Sequence, residues 1–161
     1  MVRRLLRKSR VTTDPDLRPE YLQSTYRVEV GPDHEVVLHH GQLHPELDAW
    51  IADAHLEFRH WVLITAWNPD SKPRSRAEND VAQEHLRAEL RIRSWPFVEA
   101  VGEFKDWREE SLLVLVPSAE DALDLGRRYG QVAVLLGCRA QVAEVTPCRF
   151  AAENQKHDAA R

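Results

Sequence analysis

Carboxamide and carboxylate side chains stand at the ends of three apolar segments of this chain. Asn68 follows one apolar run, Glu109 and Glu110 precede a second, Gln131 precedes a third, and Asn79 lies in the first turn of a predicted helix. A carboxylate can act as a general base when desolvation raises its pKa, and carboxamides beside it can orient a substrate. If these side chains meet, they form a candidate site for a polar ligand or for acid–base catalysis.

The same residue types are also typical of a purely structural network. A buried group of amides and carboxylates can satisfy its own hydrogen bonds and hold a turn against a sheet without binding anything. No nucleophile with an evident base accompanies the set, because Ser71, Ser75 and Ser111 have no histidine at a recognisable spacing. A structural network, a ligand site and a catalytic site therefore stay open as interpretations, and the sequence identifies no cofactor.

Three histidines close together in sequence, His39, His40 and His44, suggest zinc as one interpretation. Neighbouring residues of a strand point to opposite faces, so His39 and His40 cannot easily share one ion. Cys138 and Cys148 form no C-x-x-C motif, and no second ligand pair has zinc spacing. We therefore predict no metal site. If the purified protein were found to contain zinc, His40 and His44 would be the first ligands to test.

The polar turn before the helix that starts at Arg76 is a candidate anion site. Free amides and the helix dipole favour phosphate or carboxylate at a helix N-terminus, and Lys72, Arg74 and Arg76 add positive charge. The turn contains no glycine and is not a P-loop. Asp70 and Glu78 also stand there and can serve the amides themselves, so a solvated capped turn is the alternative.

A nucleic-acid-associated or regulatory interaction module that uses the basic N-terminal arm is the alternative function that composition suggests. Basic residues outnumber acidic ones in residues 1–20, although the chain as a whole has a formal net charge of −4. A whole-surface nucleic-acid binder is normally basic overall, so only this arm has the required character. Trp67, Trp95 and Trp107 lie near arginines and could stack on bases, although tryptophans are more often core residues.

Length and composition predict one soluble globular domain. The chain has 161 residues, which is enough to bury a core without disulfides or metals. We predict a basic, flexible arm over residues 1–20, a single domain over 21–147 and a polar tail over 148–161. No apolar run approaches the roughly 18–20 residues of a membrane span, and no secretory signal is evident. We therefore predict no membrane partner. The two cysteines fit no disulfide framework, which favours a cytoplasmic location.

Hydrophobic periodicity and turn residues predict an α+β fold. The capping-box spacing Ser75-x-x-Glu78 marks the start of the longest helix, and Trp61 to Ala66 has the apolar, β-branched and aromatic content of a buried strand. Strands are predicted at residues 25–30, 35–40, 61–67, 97–104, 110–116, 132–136 and 140–145. Helices are predicted at residues 45–54 and 76–93, and a third opens at Ser118.

The order of elements over residues 61–136 predicts where the polar residues meet. Strand–helix–strand–strand–helix–strand is the order of a ferredoxin-like βαββαβ unit, here preceded by a hairpin and a short helix. In that topology the first strand has the third and fourth as antiparallel neighbours. The residues expected at one edge are Asn68, Asp70, Asn79, Trp107, Glu109, Glu110 and Gln131, and those expected to rim it are Lys72, Arg74 and Arg76.

Five short motifs give the chain a family resemblance. They are Tyr21 with Thr25-Tyr26, then Thr65-Ala66-Trp67-Asn68-Pro69, Glu78-Asn79, Trp107-x-Glu109-x-Ser111 and Tyr129-Gly130-Gln131. With these motifs, roughly Tyr21 to Val145 resembles the bacterial family catalogued as domain of unknown function 3293. The resemblance implies a cytoplasmic bacterial domain and no established activity. Together with alternation along the strand, it favours Glu109 over Glu110 as the candidate catalytic residue.

The sequence thus predicts binding of a small polar or anionic, nucleotide-like ligand at an amide–carboxylate pocket. The pocket would lie at the end of strand 61–67, and enzymatic use of it stays open. Its predicted ligand-binding residues are Asn68, Asp70, Lys72, Arg74, Asn79, Trp107, Glu109 and Gln131.

Overall fold

Apolar segments between residues 17 and 148, the part of the chain that the computed structural model describes, form seven β-strands and four α-helices. The strands are β1 (Thr25–Gly31), β2 (His34–Leu38), β3 (His60–Ile64), β4 (Phe97–Phe104), β5 (Trp107–Val116), β6 (Ala133–Cys138) and β7 (Glu144–Pro147). The helices are α1 (Pro19–Gln23), α2 (Pro45–Ala54), α3 (Arg76–Arg93) and α4 (Ala119–Arg128). None of these helices is long and apolar enough to cross a membrane.

The strands form one antiparallel sheet in the order β2-β1-β4-β5-β3-β6-β7. β3 lies between β5 and β6, with Val62 opposite both Val114 and Leu136. Because both of its edges are paired and both faces are covered, its side chains are apolar almost without interruption. The predicted α+β class and the predicted neighbours of this strand are therefore confirmed. The sheet, predicted to be mixed and mostly antiparallel, has only antiparallel pairs among the described residues.

The two faces of the sheet carry different helices. α3 and α4 place Leu86, Leu90 and Leu125 against one face, where they meet Val62 and Ile64 of β3. α2 covers part of the other face, where side chains of β1, β2, β5 and β6 also pack. The alternation of side chains along each strand separates these two cores. The end of the second face that α2 does not reach is where the polar residues gather.

The longest helix and its cap follow the sequence prediction. Ser75 accepts a hydrogen bond from the Glu78 amide at 3.2 Å, and the Glu78 carboxylate accepts one from the Ser75 amide at 3.0 Å. This is the reciprocal capping box, so α3 begins at Arg76 as predicted. The predicted helix boundaries at 45–54 and 76–93 and the strand 97–104 are confirmed.

Several boundaries differ from the prediction. β5 begins at Trp107 instead of Glu110, because Phe104 pairs with Trp107 and leaves only Lys105 and Asp106 in the turn. Lys105 has a φ of 51°, as a tight hairpin requires. Glu109 is therefore a strand residue and not part of a polar connection.

β3 ends at Ile64, whereas the predicted strand ran to residue 67. The last strand is displaced toward the C-terminus. Ala140, with a φ of 63°, lies in the turn before that strand, so pairing resumes only at Glu144. The sequence did not predict α1, which follows the buried Leu17. Residues 1–16 of the predicted arm and 149–161 of the predicted tail lie outside the described residues.

Candidate functional site

Beyond β3 the chain leaves the sheet, and side chains replace the lost backbone pairing. The Ala66 amide donates to Oε1 of Gln83 at 2.8 Å, and the Trp67 amide donates to Oγ1 of Thr65 at 3.0 Å. Gln83 and Thr65 in turn both donate to the Glu110 carbonyl, at 3.3 and 2.6 Å. Gln83 is fully buried on α3, so it fixes the path of this segment. The sequence analysis did not single out Gln83.

Asn68 is the junction between the turn, helix α3 and strand β5. Its backbone has a φ of 47°, a left-handed conformation that asparagine tolerates better than most residues. Its amide donates to Oδ1 of Asn79 and its Oδ1 accepts from Asn79 Nδ2, both at 3.0 Å. Oδ1 also accepts from the Arg74 amide at 2.9 Å, and Nδ2 donates to Oε1 of Glu109 at 2.9 Å. Every polar group of the Asn68 carboxamide thus has a protein partner.

A cavity of about 490 Å³ lies next to this junction, between the sheet face opposite α3 and α4 and helix α1. Its apolar wall includes Leu63 and Leu135, which belong to neighbouring strands. Its polar wall includes Tyr21, Tyr26, Thr65, Glu109, Ser111 and Gln131. Concave sites of roughly 300–1,000 Å³ with mostly apolar walls and a few convergent polar groups are typical of small-molecule binding.

One row of residues across three strands sets the floor of the cavity. Tyr26 of β1 lies opposite Gly102 of β4, which lies opposite Glu109 of β5. Directly paired residues of antiparallel strands share a face. A Cβ at Gly102 would lie 3.3 Å from the Tyr26 ring, so the absence of a side chain lets this ring lie against the strand. The tyrosine and the carboxylate therefore face the cavity from opposite sides of a glycine.

Glu109 is a half-buried carboxylate whose hydrogen-bond donors in the described part of the chain are neutral. Burial raises the pKa of Glu109, while hydrogen bonds from Asn68 and Trp107 favour its charged form and lower the pKa in part. Within residues 17–148 no Lys or Arg nitrogen pairs with this carboxylate, and no cation contributes to its pKa. Its burial cost is therefore only partly offset by neutral donors.

Two tyrosines, Tyr21 and Tyr26, bring hydroxyl groups to the cavity wall. Burial, together with the nearby Glu109 carboxylate, raises the pKa of Tyr26 to about 12. Tyr21 of α1 hydrogen-bonds through its hydroxyl to Ser71, which ties α1 to the turn after β3. With a pKa of about 12, the Tyr26 phenol keeps its proton at neutral pH.

Gln131 closes the site on the side of β6. Its Nε2 donates to the carbonyls of Trp67 and Tyr129, both at 3.2 Å. Its Oε1 accepts no hydrogen bond from residues 17–148 and is the acceptor that this carboxamide offers to the cavity it lines.

The structure brings together only part of the predicted set. Asn68, Trp107, Glu109 and Gln131 line the cavity. Asn79 is 3% exposed and lies behind Asn68, where it supports the junction and does not reach the cavity. The exposed residues Asp70, Lys72 and Arg74 lie on the turn and are outside the cavity lining.

Two residues expected near the cavity are engaged in surface ion pairs. Arg76 pairs with Asp80 at 3.0 Å and with Glu110 at 2.6 Å, so the charges of Arg76 and Glu110 meet outside the cavity.

Tyr26 and Thr65 line the cavity but were not among the predicted site residues. Their presence in the family motifs was the signal that could have identified them.

The histidines are used as backbone acceptors. Nε2 of His44 accepts from the His39 amide at 3.0 Å, and Nδ1 of His40 accepts from the Val145 amide at 2.9 Å. Burial, and to a lesser extent His39, lowers the pKa of His44, which favours the neutral imidazole that this hydrogen bond requires. These contacts give His40 and His44 a role in holding the loop between β2 and α2.

The tryptophans near arginines differ in exposure. Trp67 is buried and the Arg76 guanidinium lies 5.1 Å from its ring centroid. Trp95 is half-buried, and the Arg93 guanidinium lies 4.8 Å from its ring centroid. Trp107 is 46% exposed and borders the cavity. A continuous stacking surface for bases is therefore not formed by these three residues.

Replacing Glu109 with glutamine is expected to stabilise the folded protein at neutral pH. Because burial raises the pKa of Glu109, the folded state binds its proton more tightly than the unfolded chain, and stability falls as pH rises from about 4.5 through the folded pKa. Glutamine stays neutral and keeps an acceptor for Asn68. Urea unfolding of both proteins at neutral pH and near pH 4 tests this, with the gain expected to vanish at the lower pH.

The exposed carboxylate of Glu29 on β1 provides the control. Glu29→Gln is expected to change stability little and without this pH dependence. A Glu109→Gln variant less stable than the wild type at neutral pH would contradict the prediction.

Comparison with known proteins gives one match. A family model described as "Protein of unknown function (DUF3293)" matches residues 64–134, from the end of β3 to the start of β6. The matched range contains Asn68, Asn79, Glu109 and Gln131, so the resemblance expected from the sequence is confirmed over this range. The motif residues Tyr21 and Tyr26 lie outside it. No curated protein and no solved structure matches the chain.

Proposed function

We propose that this chain, whose matched family carries no assigned activity, binds a small polar ligand in the cavity above Glu109. One observation supports this most directly. Glu109 and Gln131 present acceptors to a cavity of about 490 Å³, while the buried amides behind them already have partners. A purely structural network satisfies all its members, whereas a binding site keeps some acceptors for its ligand.

The polar character of the ligand has more support than the anionic character that the sequence suggested. Lys72 and Arg74, the cations that the sequence placed at the site, lie outside the cavity lining, and Arg18 and Lys105, which line it, are outnumbered there by Glu20, Glu103, Asp106 and Glu109. A nucleoside or nucleobase is compatible with the volume and with the acceptors, whereas a phosphate group would meet more carboxylates than cations. The nucleic-acid alternative rests on the basic arm, of which residues 1–16 lie outside the described residues.

We also infer that β3 to β6, with α3 and α4, form a ferredoxin-like unit. The strand order β4-β5-β3-β6 supports this, since it places the third strand of the unit between the first and second. Both connecting helices pack on the same face of the sheet. In this arrangement the opposite face is open to receive other elements, and α1, α2 and the β1–β2 hairpin occupy it in part.

A cavity-filling variant tests the binding proposal. Ala133 of β6 lines the cavity, so Ala133→Leu is expected to occupy part of its volume. A thermal-shift screen of nucleosides, amino acids and small amines against the wild type should find compounds that raise the melting temperature by mass action. Each such shift should be lost or strongly reduced in Ala133→Leu.

Ala88→Leu is the matched control, because it makes the same change on the exposed face of α3. It should keep every ligand-induced shift. Compounds that stabilise the wild type and Ala133→Leu equally would bind elsewhere, and that result would overturn the proposed site.

A further inference from the structure

We infer that the ligand of this cavity is a cation, whose ammonium or amidinium group pairs with the carboxylate of Glu109. This inference rests on the proposed function and names the ligand class for the same site. It begins from the Glu109 carboxylate, to which no cation of residues 17–148 is bonded.

Three basic side chains from β5, from the turn before it and from the start of α3 already have partners. Arg108 pairs with Glu103 at 3.4 Å, and Arg76 pairs with Glu110 and Asp80. Lys105 holds its Nζ 5.2 Å from the centroid of the Phe104 ring. The surface acids of β4 and β5 therefore have cations beside them, while the donors that residues 17–148 give to the half-buried Glu109 are neutral.

The cavity as a whole is acidic. The charged residues that line it are Arg18, Glu20, Glu103, Lys105, Asp106 and Glu109. Glu103 is paired with Arg27 and Arg108, which leaves Glu20, Asp106 and Glu109 against Arg18 and Lys105. A cationic ligand is attracted by this excess and an anionic ligand is repelled, most strongly at Glu109, where burial weakens solvent screening.

Aromatic side chains supply the second half of a cation site. Tyr21, Tyr26 and Trp107 line the same cavity as the carboxylate. The faces of tyrosine and tryptophan attract ammonium groups, and a desolvated contact of this kind adds to the ion pair. A neutral polar ligand would use the aromatic surface but would leave the charge of Glu109 unpaired.

A ligand cation would also recover the cost of keeping Glu109 buried. An ionised carboxylate loses solvation on burial, and neutral donors replace only part of it. Two donors, from Asn68 and Trp107, hold this carboxylate in place before any ligand arrives. The site is therefore preorganised for a positive charge, which reduces the entropy lost on binding.

Three probes with one ring and different charge test the inference. Phenethylamine is a cation at neutral pH, phenethyl alcohol is neutral, and phenylacetate is an anion. NMR titration that follows the indole N–H signal of Trp107 should show that phenethylamine binds at least about tenfold more tightly than the other two. Glu109→Gln should remove this preference, and the control Glu29→Gln should keep it.

A second measurement uses the wild-type protein alone and does not depend on how the variant folds. The affinity for phenethylamine should fall as the pH is lowered through the range in which Glu109 takes up its proton, while the affinity for phenethyl alcohol should not. Because both probes share the ring, this difference reports on charge and not on the apolar contact.

The outcomes separate the inference from the proposed function. Binding of all three probes in the cavity with equal affinity, or a preference that survives in Glu109→Gln, would overturn the cation assignment and leave a small-molecule site. If no probe shifts the Trp107 signal even at millimolar concentration, and the thermal-shift screen also finds no ligand, both are overturned.

Discussion

Replacing Asn68 with alanine is expected to lower the free energy of unfolding by about 3 kcal/mol. The change removes the partner of the Arg74 amide, of Asn79 Nδ2 and of one Glu109 oxygen. Each buried polar group left without a partner costs on the order of 1–3 kcal/mol, and these costs are not additive. Alanine is also less tolerant of a φ of 47° than asparagine. Urea unfolding of the variant and the wild type measures the loss.

Two further substitutions separate the backbone effect from the hydrogen bonds. Asn68→Gly removes the same side chain without a steric penalty, so it should be less damaging than alanine by about 1 kcal/mol. Asp33 has a similar φ of 54° in the exposed turn between β1 and β2. Asp33→Ala should therefore cost only the backbone part, about 1 kcal/mol. If Asn68→Ala costs no more than Asp33→Ala, the network contributes nothing to stability.

The stability effects of substitutions at Asn68 and at Glu109, taken together, bear on function. Asn68 and Asn79 are bonded to each other and to the protein, and their loss should destabilise it. Glu109 is the member of the cluster whose neutral replacement should stabilise the protein at neutral pH. A residue that costs stability where it stands is more typical of a binding or catalytic role than of architecture. If substitutions at Asn68 and Asn79 destabilise the protein and Glu109→Gln stabilises it, the two asparagines are structural and Glu109 belongs to the binding site.

Replacing Gly137 with alanine is expected to destabilise the protein by about 3 kcal/mol. Gly137 of β6 pairs with Trp61 of β3, and a Cβ there would lie 2.0 Å from Cε2 of the indole. Trp61 is 2% exposed, so its ring has no free space into which to move. Overpacking of a core typically costs 1–3 kcal/mol, and a clash with a rigid bicyclic ring lies at the upper end. Thermal and urea unfolding measure the effect.

A matched glycine and a second-site change make this prediction specific. A Cβ at Gly31 would meet its nearest neighbour, the Cβ of His34, at an ordinary 3.8 Å, so Gly31→Ala should change stability by less than about 1 kcal/mol. Trp61→Leu removes the ring that Gly137→Ala would strike. In a double-mutant cycle the two changes should therefore cost less together than the sum of the single costs. Strict additivity would show that the indole is not the obstacle.

The sequence alone determined the elements whose signals are local. The capping box of Ser75 and Glu78 and the period of the apolar residues defined α3, because caps and helix faces depend on residues three or four positions apart. The continuous apolar content of β3 identified a strand buried on both faces. From the order of elements it also followed that β5 and β6 flank β3, which brought Asn68, Glu109 and Gln131 to one end of the sheet.

Only the tertiary structure decided that there is a cavity and which residues face it. The β1–β2 hairpin could have joined the sheet in several ways, and its pairing with the free edge of β4 places Tyr26 over Gly102, opposite Glu109. α1 then places Tyr21 at the cavity. No strong local sequence signal predicts this short helix. Pairing between strands far apart in sequence depends on which edges the rest of the chain leaves open. No local pattern contains that information, so the sequence alone could not place the aromatic wall beside the carboxylate.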